Sequence, residues 1–176
     1  MVGFGDSRVQ HPVTEVRFRP VVEADRGFLR GLYAATREEE LAAAPWPVAA
    51  KEAFLDQQFA AQDHSYRANY PGAELLVILA GATPAGRLYL HARADEVRIM
   101  DIALLPAWRR RGLGTAILQA VLAHARSAGR SVSIHVESFN PAQRLYARLG
   151  FRPVGRNDVY VLLEWRPGAD PVKPVG

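Results

Sequence analysis

The chain has 176 residues, no cysteine, and a formal charge of +4 from 22 Lys and Arg against 18 Asp and Glu. That length fits one domain, and the lack of cysteine excludes a disulfide framework, a thiolate metal site and a cysteine nucleophile. With 49% hydrophobic and 23% charged residues the chain can bury a core, which excludes a disordered polymer.

Taken in chain order, residues 1–12 and 166–176 carry Pro, Gly and little periodicity, and are expected to be flexible ends around a single domain with its core at about 15–166. Val16 to Pro20 alternates as a half-buried strand does. A helix is predicted from Glu23, with Phe28, Leu29, Leu32 and Tyr33 at helical spacing, and the Ala43–Pro47 stretch breaks it. A second helix starts near Pro47, where proline suits the first turn. Its apolar positions are Phe54, Leu55 and Phe59, and it ends before Tyr70-Pro71-Gly72.

The period then changes. Glu74 to Ala80 reads as a buried strand, Gly81 to Gly86 as a hairpin loop, and Arg87–Ala94 and Val97–Leu105 as two more strands. A long helix is predicted over Gly112–Ala128, closed by Gly129, then a strand at Ser131–Val136. A short helix at Pro141–Leu149 and strands at Phe151–Val154 and Val159–Trp165 complete the chain. A strand-helix-strand crossover requires a parallel pair. The prediction is therefore an α/β fold, with a mixed, partly parallel sheet of about seven strands and helices on both faces.

The longest apolar run, Leu75 to Ala80, is far short of the about 18 residues that span a bilayer. Residues 1–10 hold no signal-like stretch, so a cytoplasmic protein without a membrane partner is expected. Only Lys51 and Lys173 are lysines, and the arginines are scattered among acids except for the run Arg109-Arg110-Arg111. Nucleic-acid binding would need a basic face with stacking aromatics, so it is not expected. His64, His91 and His124 lack ligand spacing, and no metal is predicted.

The stretch Ile102-Ala-Leu-Leu-Pro-Ala-Trp-Arg-Arg-Arg-Gly-Leu-Gly-Thr115 carries the strongest chemical signal. A strand ends, a basic turn follows, and Gly112 and Gly114 open an amphipathic helix. Free N–H groups at such a helix start, with the helix dipole, favour an anion such as a diphosphate. A Walker A loop is excluded because no Lys follows, and a dinucleotide fingerprint because Ile117 stands where its third glycine belongs. The alternative is a turn shaped by glycines beside solvated arginines.

Arg109-Arg-Arg-Gly112-Leu-Gly114 resembles the [R/Q]-x-x-G-x-[G/A] motif of the GNAT superfamily of N-acetyltransferases. Asp101-Ile-Ala-Leu104-Leu-Pro106 resembles the strand before it, and Asn140 to Phe151 resembles a second block, N-x-x-A-x-x-L-Y-x-x-x-G-F. The resemblance covers about 97–155, and by element order reaches back to 16. It implies acetyl-CoA as cosubstrate, bound where two parallel strands splay apart. Backbone groups of Ile102, Ala103 and Leu104 would pair with the pantetheine arm, and the amides of Arg110, Arg111, Gly112, Leu113, Gly114 and Thr115 would hold the diphosphate. Arg109 would reach the ribose phosphate, and Asn140 the pantetheine from the other side.

By the same resemblance Tyr146 stands at the general-acid position; a helix-buried aromatic is the competing reading. The base is open among Asp101, His135, Glu137 and a chain of waters. His135 has the best unperturbed pKa, and alternation puts it on one face with Glu137. Glu38-Glu39-Glu40 attract a cationic amine or are a solvated helix end. Trp46, Phe54, Phe59, Tyr66 and Tyr70 line an acceptor pocket or belong to the core. The implied activity is acetyl transfer to a primary amine, small molecule or peptide, and the alternative is an acyl-CoA sensor without transfer. A homodimer is compatible with the resemblance, but the sequence carries no signature for one.

Overall fold

The computed structural model describes residues 3–168; the expectations for 1–2 and 169–176 lie outside them. One eight-stranded sheet has the order β1-β2-β3-β4-β5-β6-β8-β7, and only β5 and β6 run parallel. The strands are β1 (Arg8–Val9), β2 (Val16–Pro20), β3 (Glu74–Ala80), β4 (Thr83–Ala92), β5 (Glu96–Leu104), β6 (Ser131–Glu137), β7 (Arg152–Arg156) and β8 (Tyr160–Trp165). The helices are α1 (Arg26–Thr36), α2 (Glu38–Ala43), α3 (Val48–Asn69), α4 (Leu113–Ser127) and α5 (Gln143–Arg148).

Two cores flank the sheet. The larger joins the α4 stripe Leu113, Ile117, Leu118, Val121 and Ala125 to sheet residues such as Ile78, Leu88, Ile99 and Ile134. That stripe repeats at three and four residues, so α4 buries one face and crosses from β5 to β6. On the other face α1, α2 and α3 enclose a smaller cluster of Leu29, Tyr33, Leu41, Leu55 and Phe59. Arg19 on β2 grips Asp25 with two bonds of 2.7 Å, and the Val22 N–H adds a third at 2.9 Å, which fastens the entry to α1. The Arg19 guanidinium, against the cost of burial, holds the Asp25 carboxyl below its usual range.

Two expectations are corrected. Residues 4–12 are part of the fold: Phe4 is 1% exposed and packs on Phe18 and His124. The Glu74 carboxylate accepts the Phe4 and Gly5 N–H groups at 3.2 and 3.0 Å. Burying one such ring contributes about 1.5–3 kcal/mol, enough to fix a segment that has no periodicity to read. The loop predicted at 81–86 shrinks to Gly81 and Ala82, because β4 starts at Thr83 and takes up Ala85 as a bulge opposite β3.

A second bulge positions the site. Tyr89 pairs Asp101 and Leu90 pairs Ile99, so Met100 is the extra residue on β5. The bulge resets the alternation. Ile99 and Ile102 both face the α4 core, while Asp101 and Ala103 face the α1–α3 side with Arg87 and Tyr89.

Candidate functional site

β5 and β6 pair only from Glu96/Ser131 to Ile99/Ile134; beyond that point β5 continues to Leu104 and the two strands part. The Leu105 N–H donates to the Ala85 carbonyl at 2.9 Å, on the β4 side. Strand alternation therefore turns the backbone of Leu104 and Ile102 toward the opening, while that of Ala103, expected to face it too, points to β4. Leu104 and Ile102 close its α4 side with partly buried side chains.

The strand then becomes the turn. A single helical turn at Pro106–Trp108 leads into Arg110 at φ 56° and Gly112 at φ 84°. Gly112 is the N-cap of α4, and the first helical bond runs from Ala116 N–H to the Gly112 carbonyl at 3.0 Å. As a result the N–H groups of Arg110, Arg111, Gly112, Leu113, Gly114 and Thr115 have no partner among the described residues. A left-handed Arg at 110 is uncommon, and successive amides turned outward in this way form an anion cradle. A β-carbon on Gly112 would lie 2.9 Å from His11 Nε2, whereas one on Gly114 would meet only Leu104 at 3.9 Å. The row of free amides suits an anion such as a diphosphate, and it comprises the six residues that the family resemblance implied.

The three arginines diverge. Arg109 bends back, with Nε donating to the Leu104 carbonyl at 2.8 Å and Nη2 to the Ala35 carbonyl at the end of α1 at 3.2 Å. It ties β5 to α1, a placement different from the outward reach expected for it. Arg111 lies over the Trp108 ring at 5.5 Å. Asn140 folds its carboxamide oxygen onto the Ala142 N–H at 2.9 Å, which leaves only its NH2 group to offer a ligand.

Tyr146 on α5 is 5% exposed and stacks edge-on against Phe151. Its hydroxyl has no hydrogen bond among the described residues, and the oxygen is not fully enclosed, so it still reaches solvent. Burial, with the Asp101 charge acting in the same direction, pushes its pKa above the usual phenol range. The group is a proton donor across the physiological range.

The three base candidates share the face opposite the α4 core, since Ile134 and Val136 point into that core and His135 and Glu137 away. Their bonding separates them. Asp101 Oδ2 accepts from Arg87 Nη2 at 2.5 Å and from the Tyr66 hydroxyl at 3.1 Å. Arg87 is 3% exposed and also bonds Gln62 at 2.8 Å. Burial, opposed by Arg87 but reinforced by Asp101, pushes Tyr66 above its usual range, and burial pushes Tyr89 up to about 12. His135 takes a hydrogen bond from Arg98 on Nδ1. Arg98 only donates, so the neutral ring carries its proton on Nε2 and presents a donor. Burial and the Arg98 charge lower the His135 pKa. Glu137, at the end of β6, has no ion pair or side-chain hydrogen bond among the described residues.

Of the other residues marked in the sequence, Tyr33 and Phe59 pack on each other in the small core, and Tyr70 lies against His91. Trp46 is half exposed on Phe54, and Glu38–Glu40 form the first turn of α2, where negative charge suits the helix dipole. Sequence reasoning missed Arg87 and Gln62. Neither sits in a motif, and only the β4–β5 register and the placement of α3 bring them to Asp101. Among the described residues no three His, Asp or Glu side chains gather as a metal-ligand set, and no helix is long and apolar enough to cross a membrane.

Solved structures share this architecture. PaiA N-acetyltransferase of Thermoplasma acidophilum, in complex with coenzyme A, superposes with a TM-score of 0.64 at 15% identity over 86% of this chain and 98% of its own. The RimL ribosomal L7/L12 alpha-N-protein acetyltransferase, also with coenzyme A, gives 0.62 at 18% over 93% and 100%. At such identities the likeness shows the fold. Among curated relatives, an N-alpha-acetyltransferase of Sulfurisphaera tokodaii is 37% identical over 59 residues, 32% of this chain and 35% of that protein. The mouse cysteine-rich protein 2-binding protein is 29% identical over 84 residues, 47% of this chain and 10% of its own length. The chain thus spans about a third or less of the curated relatives it matches. The sequence model of the acetyltransferase (GNAT) family matches residues 23–151, from the entry to α1 through the second motif block, and the chain belongs to that family.

Proposed function

We propose that the protein transfers the acetyl group of acetyl-CoA directly to a primary amine on a small molecule or peptide. The observation that carries this reading is the row of six unpartnered amides, Arg110 to Thr115, beside the strand opening. Diphosphate-bearing thioesters suit that pairing, and two relatives of this fold were solved with coenzyme A.

The thioester supplies an activated acetyl carbon; the chain's residues hold it and move protons. The amides of Arg110–Thr115 hold the diphosphate, the open edge at Ile102 and Leu104 aligns the pantetheine arm, and the Asn140 NH2 adds a donor. The Leu104 N–H donates to the acetyl oxygen as it gains charge, the type of interaction that lowers such barriers most. The N–C bond forms as the C–S bond breaks. The amine's proton passes to Glu137, directly or through water, and the Tyr146 hydroxyl protonates the departing sulfur and is reprotonated from solvent. Glu137 fits the base role because its carboxylate is unengaged, whereas Asp101 is committed to Arg87 and His135 presents a donor. We place the protein in the cytoplasm, acting without metal, and leave the homodimer to a sedimentation measurement.

Calorimetric titration with acetyl-CoA and then CoA tests the site. Saturable binding followed by thiol release with added amines supports transfer. Binding without release from any amine class would instead favour an acyl-CoA sensor.

A further inference from the structure

The connection between β1 and β2 reaches the same end of the sheet as the anion cradle. β1 is held in place by the buried Val9 beside the turn and, toward the other end of the sheet, by the segment before it, where Phe4 is buried in the main core and Glu74 holds the Phe4 and Gly5 amides. The chain then turns, with the Thr14 N–H bonded to the His11 carbonyl at 3.1 Å. Within this turn the His11 ring accepts the Val13 N–H on Nδ1 at 3.2 Å. A neutral imidazole that accepts on Nδ1 carries its hydrogen on Nε2. That Nε2 lies against the helix-capping glycine, 2.9 Å from where a β-carbon of Gly112 would stand. It has no hydrogen-bond partner among the described residues. A fixed N–H donor thus lies beside Gly112, one of the six residues whose amides are also unpartnered.

We infer that His11 is a further donor of the cosubstrate site, its Nε2–H bonding a diphosphate oxygen of the bound thioester, so that the segment before β2 completes the anion cradle. The inference rests on the proposed acetyl-CoA site and extends it to a residue outside both motif blocks. It also gives Gly112 a second reason to be glycine. Besides the left-handed φ, any side chain would displace the ring.

The test uses the full chain and two readouts. Calorimetry with acetyl-CoA compares the wild type with His11→Ala and His11→Gln. The Nε2 nitrogen resonance of His11 is followed as CoA saturates the wild type. Loss of one donor to a charged oxygen should weaken His11→Ala about tenfold. His11→Gln, whose carboxamide still donates, should recover part of that loss, and the Nε2 resonance should move on saturation. Equal or tighter binding by His11→Ala would overturn the inference, tighter binding meaning that the ring obstructs the turn. Weaker binding without a shift of the Nε2 resonance would overturn it too, by making the effect indirect. A wild type that binds neither ligand would remove the cosubstrate site itself, a failure distinct from the other two.

Discussion

The two sides of the strand opening are built from different materials. The side we propose for the cosubstrate is mainly main chain: one continuous segment from Leu104 to Thr115, with its chemistry in N–H groups and in two left-handed residues, to which Asn140 and His11 each add one side-chain donor. The side we propose for the acceptor is side chain: Arg87 from β4, Asp101 from β5, Gln62 and Tyr66 from α3 and His135 and Glu137 from β6, joined only by the fold. A site made of backbone is governed by local turn geometry, and almost any side chain can stand beside it. A site made of side chains is governed by non-local register, and each residue can change with the acceptor.

The contrast is broken most sharply on the main-chain side. Gly114→Asp sets a carboxylate against the bound diphosphate, and like charges so placed cost several kcal/mol. Acetyl-CoA affinity should fall at least about a hundredfold, below calorimetric detection, while circular dichroism stays that of the wild type. Undiminished affinity would mean that the cradle is shape alone.

On the side-chain side the largest effect should fall on stability. Arg87→Ala leaves Asp101 half buried without its cation, a change that costs about 3–5 kcal/mol. Urea denaturation measures it. The double variant Arg87→Met with Asp101→Leu should recover most of the loss, since a matched apolar pair strands no charge. If the double variant is as unstable as the single, the pair matters through Gln62 and Tyr66 rather than through charge.

Tyr146→Phe sharpens the comparison, because Tyr146 reaches the opening from the α4 core while the acceptor groups come from the other face. Turnover should drop by about a hundredfold, within the usual range for a lost general acid. Acetyl-CoA affinity and stability should change little, the ring contact with Phe151 being kept. Equal turnover would take the hydroxyl out of the reaction.

The same contrast explains what could be read in the sequence. The α4 stripe, the glycines at 112 and 114, the crossover and the parallel pair follow from local periodicity and turn chemistry. The six amides were implied by the family resemblance of the Arg109–Gly114 motif, not by periodicity, and their role remains a proposal. The bulge at Met100 was not legible, because nothing in the run Val97 to Leu105 marks which residue is left unpaired. Yet that bulge decides that Asp101 faces Arg87 instead of the α4 core. Phe4 and the two-residue β1 escaped for a related reason. A single buried ring and two backbone bonds to a distant carboxylate leave no period in the sequence. Arg109 matched its motif, yet the Ala35 carbonyl that turns it inward belongs to a different helix.

The smallest effect concerns His135. Burial first, and the Arg98 charge second, favour its uncharged ring over the charged one, with Glu96 opposing. The unfolded chain therefore holds more protons than the folded one between the lowered pKa and the ordinary value of 6.5. Stability must rise with pH across that window and level off above it. The ring is only partly buried, so screening keeps the slope shallow, and the direct readout is the resonance of its ring protons. In the wild type the midpoint should lie below 6.5. Arg98→Met should move it upward, by removing the cation and by freeing Nδ1 to take a proton. A midpoint unmoved by Arg98→Met would show that burial alone sets the ring's charge. Nδ1 would then be as free to accept a proton as Nε2 is to donate one, and His135 would regain its claim as the base.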